Sequence, residues 1–553
     1  MGYVMPPQQI FVGLFFIFFV IASPVFPQEL LKVDLYDVFE LNFAGSEFSE
    51  KDNPTSQVDF FTLWQHENRS DLLKIYGFWD GDGKGGSRGN IFKIRFCPTR
   101  PGKWTLAKVV SNLPQLNGQQ EGYSLICQPS LNHGFWLVDS QNAGGRWYRR
   151  SDDSHSYIIG NTMYSFLSEY DWTGPNGSSI QQDIQGNAAF FKKIRFGLTG
   201  CRYPHPIDKP FLDHAGHPTD DGDFSHRPNP TWFHTRVDLA VQVALKYDLI
   251  VDIIMNGPDT EEARSILKAS ENGGDNMPIL KYLAARYGSF PNVWFCISNE
   301  WNIKKPCYSA VEIKNFGQQF KSFLPYPTPV SVHADQQDWD AELNSPISWN
   351  DHIILQNKIK KLPAAADFIF RNYWIGAQKP VIDDELAYEG AGDGWSEADV
   401  IEAHLGAFLG GGYGSTGHKT ANKKGHYFAG NFKAIEHLSA DNLQWMREKI
   451  DANIIFWNMV PCFYSYTDNI RSSIFSNIKD TFRVLEWPGQ EYVLGTNQAQ
   501  KAINAHIPAG NWQVKQFDMI MMEEKTVAER ISQHFTFDSP ESRAVIFHFK
   551  RID

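Results

Sequence analysis

Two stretches of this chain place carboxylates where a buried strand stops. In Asn292 to Asn302 the apolar run Val293 to Ile297 ends abruptly at Ser298-Asn299-Glu300. In the second stretch Pro380-Val381-Ile382 passes into Asp383-Asp384-Glu385, with Glu389 a little further on. A short continuous apolar run is the pattern of a strand buried on both faces. Carboxyl groups brought to one rim from two such strands suit cleavage of a glycosidic bond. One carboxyl holds a proton for the leaving oxygen, and the other stays ionised. Strand alternation puts Asp383 on the face of Glu385, one layer deeper, and turns Asp384 outward.

The surrounding elements supply such a rim. Helical spacing of Ile279, Leu280, Leu283, Ala284 and Tyr287, closed by Gly288, precedes the first carboxylate strand. Further buried runs occur at Ser156 to Thr162, Phe196 to Arg202, Leu249 to Met255, Pro329 to His333, His352 to Gln356 and Gly410 to Gly414. Helical segments such as Trp232 to Tyr247 lie between them. With the two carboxylate strands these make eight βα units, which predicts an α/β fold built on a (β/α)8 TIM barrel over 131–460. Strands of such a barrel present their carboxyl ends at one mouth. Glu300 then ends strand four, Glu385 ends strand seven, and the Pro204 to Pro230 insertion is a mouth loop. Period-2 alternation at Val38 to Phe43 and Ile91 to Phe96 predicts an N-terminal β-sandwich over 33–130. Strand patterns after Phe463 predict a C-terminal β-sandwich over 463–553.

Asp80, Asp82 and Gly85 suggest a calcium loop, but Ile91 stands where the last carboxylate would be, so the segment reads as a plain turn. The 51 basic residues are outnumbered by 63 acidic ones, which argues against nucleic-acid binding. Ile10 to Ala22 is uncharged, apolar and short for a membrane span. It reads as the core of a signal peptide within 1–27, and predicts a secreted or periplasmic protein with no span in its mature form. Six scattered cysteines show no metal-type pairing; Cys97 and Cys127 fall in one domain and could bridge. There is no His-x-His or His-Glu-x-x-His cluster, so neither a catalytic metal nor another cofactor is expected.

The phrases Phe78-Trp79-Asp80-Gly81-Asp82 and Pro101-Gly102-Lys103-Trp104-Thr105 resemble an uncharacterised β-sandwich domain that precedes bacterial glycoside hydrolase barrels. Ser298-Asn299-Glu300 resembles the acid/base segment of the retaining glycoside hydrolases of clan A. Glu385-Leu386-Ala387-Tyr388-Glu389 is similar to the nucleophile segment of the apiosidase-like barrels. The resemblance implies that Glu300 is the acid/base and Glu385, rather than Asp383, Asp384 or Glu389, the nucleophile. It further implies that Asn299 bonds a sugar 2-hydroxyl and that Arg202, ending strand two, keeps Glu385 ionised. His333, Gln356, Trp301, Tyr388, Tyr413 and Asn161 are expected along the walls. Where relatives often carry Gly-Asp-Thr, this chain has Gly160-Asn161-Thr162, so the sugar does not carry over. The expected substrate is a plant or algal polysaccharide or its oligosaccharides. The alternative is a non-catalytic carbohydrate-binding or surface-adhesion protein.

Overall fold

Eight parallel strands form a single sheet in the order β5-β4-β3-β2-β1-β8-β7-β6. They are β1 (Ile159–Thr162), β2 (Lys193–Gly197), β3 (Ile250–Asn256), β4 (Val293–Ser298), β5 (Val330–Ser331), β6 (Ile353–Gln356), β7 (Val381–Gly390) and β8 (Tyr413–Lys419). His333, just past β5, forms a parallel bridge to Ile354 of β6, and this brings the two ends of the sheet together as a nearly closed barrel. The structure is a computed structural model that describes residues 30–164, 166–168, 179–198, 209–219, 227–257, 266–268, 275–303, 307–334, 343, 345, 348–356, 359–375, 378–390, 395–419, 437–462, 472–539 and 542–553. The expected signal peptide and Cys201 lie outside those residues. Among the described residues no helix is long and apolar enough to cross a membrane.

Helices α1 (Ile180–Phe190), α2 (Leu239–Lys246), α3 (Met277–Tyr287), α4 (Ala310–Phe323), α5 (Leu362–Ile375), α6 (Glu397–Leu409) and α7 (Ala440–Asn453) accompany the strands. Capping boxes start three of them, pairing Ser179 with Gln182, Ser309 with Glu312 and Ser396 with Asp399. The expected helix from Trp232 is interrupted by a π-helical turn, Phe233–Asp238, before α2 begins. Alternation sorts the barrel strands. Ile194, Phe196, Ile253 and Phe295 join the helix residues Val237, Leu280 and Phe320 in one apolar layer. Lys193, Arg195, Asp252 and Trp294 point the other way, into the barrel.

Three strands depart from the sequence reading. The second starts at Lys193, earlier than expected, because its polar residues face inward rather than marking a strand end. The seventh continues to Gly390, and the eighth begins at Tyr413. In β7, Leu355 of β6 lies opposite Asp383 and Gln356 lies opposite Glu385, so Asp384 is an extra, bulged residue. A bulge of this kind breaks alternation. It turns Asp384 into the barrel, where its carboxylate meets Lys193 and Ser415, instead of out towards the helices.

The N-terminal sandwich packs a five-stranded sheet, Leu31 to Gln128 at its limits, against a three-stranded one formed by Phe39–Phe48, Phe78–Trp79 and Gly89–Phe96. Trp64, Phe96 and Trp104 lie in its core. Cys97 and Cys127 are unpaired thiols in that core, not a disulfide. Asp82 closes its turn by accepting from the Lys84 and Gly86 amides. A buried ionic network fastens this sandwich to the barrel. Arg95 bonds Asp238 at 2.7 Å and the Arg286 carbonyl at 2.8 Å, while Arg286 bonds Asp238 at 2.7 Å and Asp80 at 2.6 Å. Burial raises the Asp238 carboxyl, but Arg286 and Arg95 overcome it and hold the group far below the usual carboxylate range. The stability it contributes is complete above about pH 4 and is lost only as strong acid carries the pH down through the folded-state value. Asp238→Ala removes the carboxylate that two buried guanidinium groups share, leaving Arg286 with Asp80 and Arg95 with Glu40, and we expect a loss of about 3 kcal/mol, read as a lower urea midpoint of the full chain. An unchanged midpoint would show that the network contributes nothing net.

The C-terminal region stacks a six-stranded sheet on a three-stranded one around Trp512, Phe537, Phe547 and Phe549. α7 joins it to the barrel, with Asn442 donating to the Met519 and Ile520 carbonyls.

Candidate active site

Glu300 and Glu385 both stand at the carboxyl-terminal rim, and both remain partly exposed among neighbours that are buried. Glu300 lies two residues past Ser298, the last residue of β4, and adopts a left-handed backbone, φ 47°. A non-glycine residue in that region is strained by about 1–2 kcal/mol, a cost met where surrounding bonds fix the chain. Here the Asn299 amide donates to the Asn256 carbonyl at 2.9 Å, and the Trp301 amide donates to that of His333 at 3.2 Å. Gln356, ending β6, donates from Nε2 to Glu300 Oε1 at 3.1 Å.

Glu385 is held differently. Tyr164, just past β1, donates a short hydrogen bond to Glu385 Oε1, and His333 Nδ1 lies 3.7 Å from the same oxygen. Burial and then the neighbouring Glu385 carboxylate push the Tyr164 phenol well above its usual value, so it stays protonated and can only donate to the carboxylate. Tyr388 lies 3.1 Å from the Tyr164 oxygen, and its ring fits because Gly417 has no side chain; a Cβ there would come within 2.5 Å of it. Arg195 Nη1 approaches Tyr164 at 3.5 Å, while Nη2 donates to Asn299 Oδ1 at 2.8 Å. His333 Nδ1 meets the same amide oxygen at 2.5 Å. Burial and then Arg195 drive the His333 imidazole well below its usual value, so it is neutral at physiological pH.

Beneath this layer Lys193 Nζ bridges Asp384 Oδ1 at 2.5 Å and Asp252 Oδ2 at 3.1 Å. Arg195 Nε is 3.7 Å from Asp384 and 3.8 Å from Asp252. Burial works against ionisation of Asp384, yet Lys193 and Arg195 bring its carboxyl down to about 2. Burial raises the Asp252 carboxyl despite Lys193. Two cations therefore stand under the mouth with one firmly ionised aspartate.

The structure thus brings Glu300, Glu385, Asn299, His333, Gln356 and Tyr388 together. It does not bring Asn161 there: the outward face of β1 carries it, and its amide donates to Asn187 of α1 at 2.7 Å. Trp301 is buried in the strand–helix layer, and Tyr413 lies in the core, accepting from the Tyr148 amide. Arg202 lies outside the described residues. Glu389, the rival carboxylate, is occupied at the start of α7, where it accepts from the Leu438 and Ser439 amides and the Ser439 hydroxyl. A helix N-terminus stabilises such an anion. Sequence reasoning missed Arg195, Lys193 and Tyr164. Among the described residues no group of three or more His, Cys, Asp and Glu side chains is placed to hold a metal.

Residues 204–424 match the family model described as the apiosidase-like catalytic domain, and residues 32–110 match a domain of unknown function, DUF5060. No curated protein sequence matches the chain. A Bacteroides vulgatus crystal structure described as a candidate glycoside hydrolase superposes with a TM-score of 0.74 at 18% identity, covering 94% of this chain and all of that one. A family 5 glycoside hydrolase from the same organism gives 0.58 at 13% identity, covering 76% of this chain and 93% of its own. At such identities the likeness is one of fold. Residues 204–424 are thus similar to the apiosidase-like catalytic domain and residues 32–110 to DUF5060, on a barrel fold shared with solved glycoside hydrolase structures.

Proposed function

We propose that the protein is a retaining glycoside hydrolase of the clan A type. The observation that carries this reading is the pair of rim carboxylates on β4 and β7, each oriented by its own donor, Gln356 for Glu300 and Tyr164 for Glu385. In the first step the Glu385 carboxylate attacks the anomeric carbon. Glu300 gives its proton to the glycosidic oxygen, that bond breaks, and a glycosyl ester of Glu385 forms. In the second step Glu300, now ionised, takes a proton from water; the water oxygen attacks the anomeric carbon and releases Glu385. Arg195 and His333 hold the Asn299 oxygen, which directs its amide NH2 end to the sugar 2-hydroxyl. That bond strengthens in the transition state. The substrate class is plant or algal polysaccharide or its oligosaccharides, met outside the cytoplasm after export by the apolar leader at residues 10–22.

The test is to follow the first turnovers on a panel of aryl glycosides and polysaccharides by proton NMR. The sugar released first is expected to have the anomeric configuration of the substrate. First release of the opposite anomer would overturn the double displacement. A chain that binds glycans yet hydrolyses none would be a carbohydrate-binding or adhesion protein instead.

A further inference from the structure

Far from the barrel mouth, the three-stranded sheet of the C-terminal region carries two histidines directly across from one another. His506 ends the strand Gln500–His506, and His534 begins His534–Ser539; they are partners in the antiparallel register. Their rings stand nearly perpendicular, at 80°, and their Nδ1 atoms converge to 3.0 Å. Two imidazole nitrogens bound to one metal ion at roughly 2.0–2.1 Å, with an angle between a right angle and the tetrahedral one, must lie about 2.8–3.4 Å apart. The observed separation falls in that interval.

A second feature points the same way. The far nitrogen of His506, Nε2, lies 2.8 Å from the hydroxyl of Ser476 on the neighbouring strand. When that nitrogen carries the proton and donates it to Ser476, the Nδ1 lone pair faces His534. This is the arrangement by which a metal-ligating histidine has its tautomer and ring orientation fixed by a hydrogen bond on its other nitrogen. The residues that share this face by register are Ser476, Asn504, His506, His534 and Thr536, and strand alternation adds the carboxylate of Asp538 beyond Thr536. No lysine or arginine is among them. Thr536 in turn bonds Asn504 at 2.7 Å, which braces the same strand pair.

We propose that His506 and His534 form a two-histidine chelating site for a divalent transition-metal ion, with Ser476 orienting the first ligand and water completing the shell. The site is structural in position. The chain leaves the six-stranded sheet at Ile531 and enters the three-stranded one at His534, turning through Gln533 at φ 51°. A metal shared with His506 fastens that crossover, and it stabilises the folded chain by mass action.

The experiment uses the full chain in a Cys307→Ser background, because Cys307 is an exposed thiol that would compete for the metal. Cu2+, Ni2+ and Zn2+ are titrated calorimetrically, and the thermal midpoint is read with and without each ion. One equivalent is expected to bind, with affinity in the order Cu2+, Ni2+, Zn2+ for a nitrogen site. His506→Ala and His534→Ala are each expected to abolish both that binding and the rise in midpoint. Ser476→Ala is expected to weaken binding by about tenfold. Both histidines are exposed, so the variants should fold; an unchanged metal-free midpoint checks this. If either histidine variant takes up metal as its parent does, or if metal leaves the parent's midpoint unmoved, the proposal is wrong and the contact is an ordinary imidazole hydrogen bond.

Discussion

Glu385→Ala is expected to lower hydrolysis of an aryl glycoside on the order of 10^5-fold, about 7 kcal/mol of transition-state stabilisation. Removal of a nucleophile leaves binding and the proton donor intact, but the anomeric centre has no partner on the side opposite the leaving group. A small anion can enter the space the side chain vacates. Sodium azide should therefore restore turnover and give a glycosyl azide of inverted configuration, because one displacement replaces two. Tyr164 remains beside the vacated position and offers its hydroxyl to the anion, as it does to the carboxylate. Rescue with retained configuration would make Glu385 the acid/base instead. A fully active variant would remove it from the chemistry, and with it the reading of β7.

Much of this site is legible in the sequence because a barrel enforces simple rules. A strand buried on both faces must be apolar, so a polar residue at its end has reached the rim, and Glu300 and Glu385 are both found this way. Gln356 and His333 follow by the same rule at the ends of their strands. The rule fails where a charged residue lies inside the barrel rather than at its edge. Lys193-Ile194-Arg195-Phe196-Gly197 alternates, with two cations on one face, and read alone it resembles a half-solvated strand. It becomes interpretable only with Asp252 and Asp384 in view, because buried cations are tolerated when paired. That pairing was a signal available in the sequence: two basic residues in one barrel strand, and aspartates in two others.

Asp384 shows a different limit. Alternation turns it outward, and only the bulge against Leu355 and Gln356 lets it and Glu385 both face inward. A single inserted residue leaves no mark in composition or periodicity. Asn161 is the converse, a polar residue near a strand end whose side chain points outward to a helix. Its neighbour Thr162 faces inward and donates to the Asp384 carbonyl at 2.9 Å, so β1 helps to hold the bulge although the residue expected from it does not. Tyr164 lies past its strand, where pattern carries no directional information, and its role emerges only from the position of Glu385.

Glu300→Ala should give a loss that depends on the leaving group, which distinguishes a proton donor from a residue that merely shapes the site. A natural sugar alcohol is a poor leaving group without a proton, so both steps fail on an oligosaccharide, and a rate loss on the order of 10^4-fold is expected. A dinitrophenolate departs without protonation. On that substrate the glycosyl ester of Glu385 still forms quickly, but the water that must remove it has lost its base. The ester accumulates: a burst of dinitrophenolate equal to the enzyme present should appear, followed by slow turnover, with kcat and KM falling together. Azide, which needs no base, should speed that slow phase and give a glycosyl azide of retained configuration, the opposite of the Glu385→Ala product. Gln356 is the internal control. Its bond to Glu300 Oε1 orients the carboxyl without itself moving a proton, so Gln356→Ala should slow both substrates while producing no burst. Equal losses on all leaving groups in Glu300→Ala, with no burst, would assign Glu300 to positioning and require another acid at the rim.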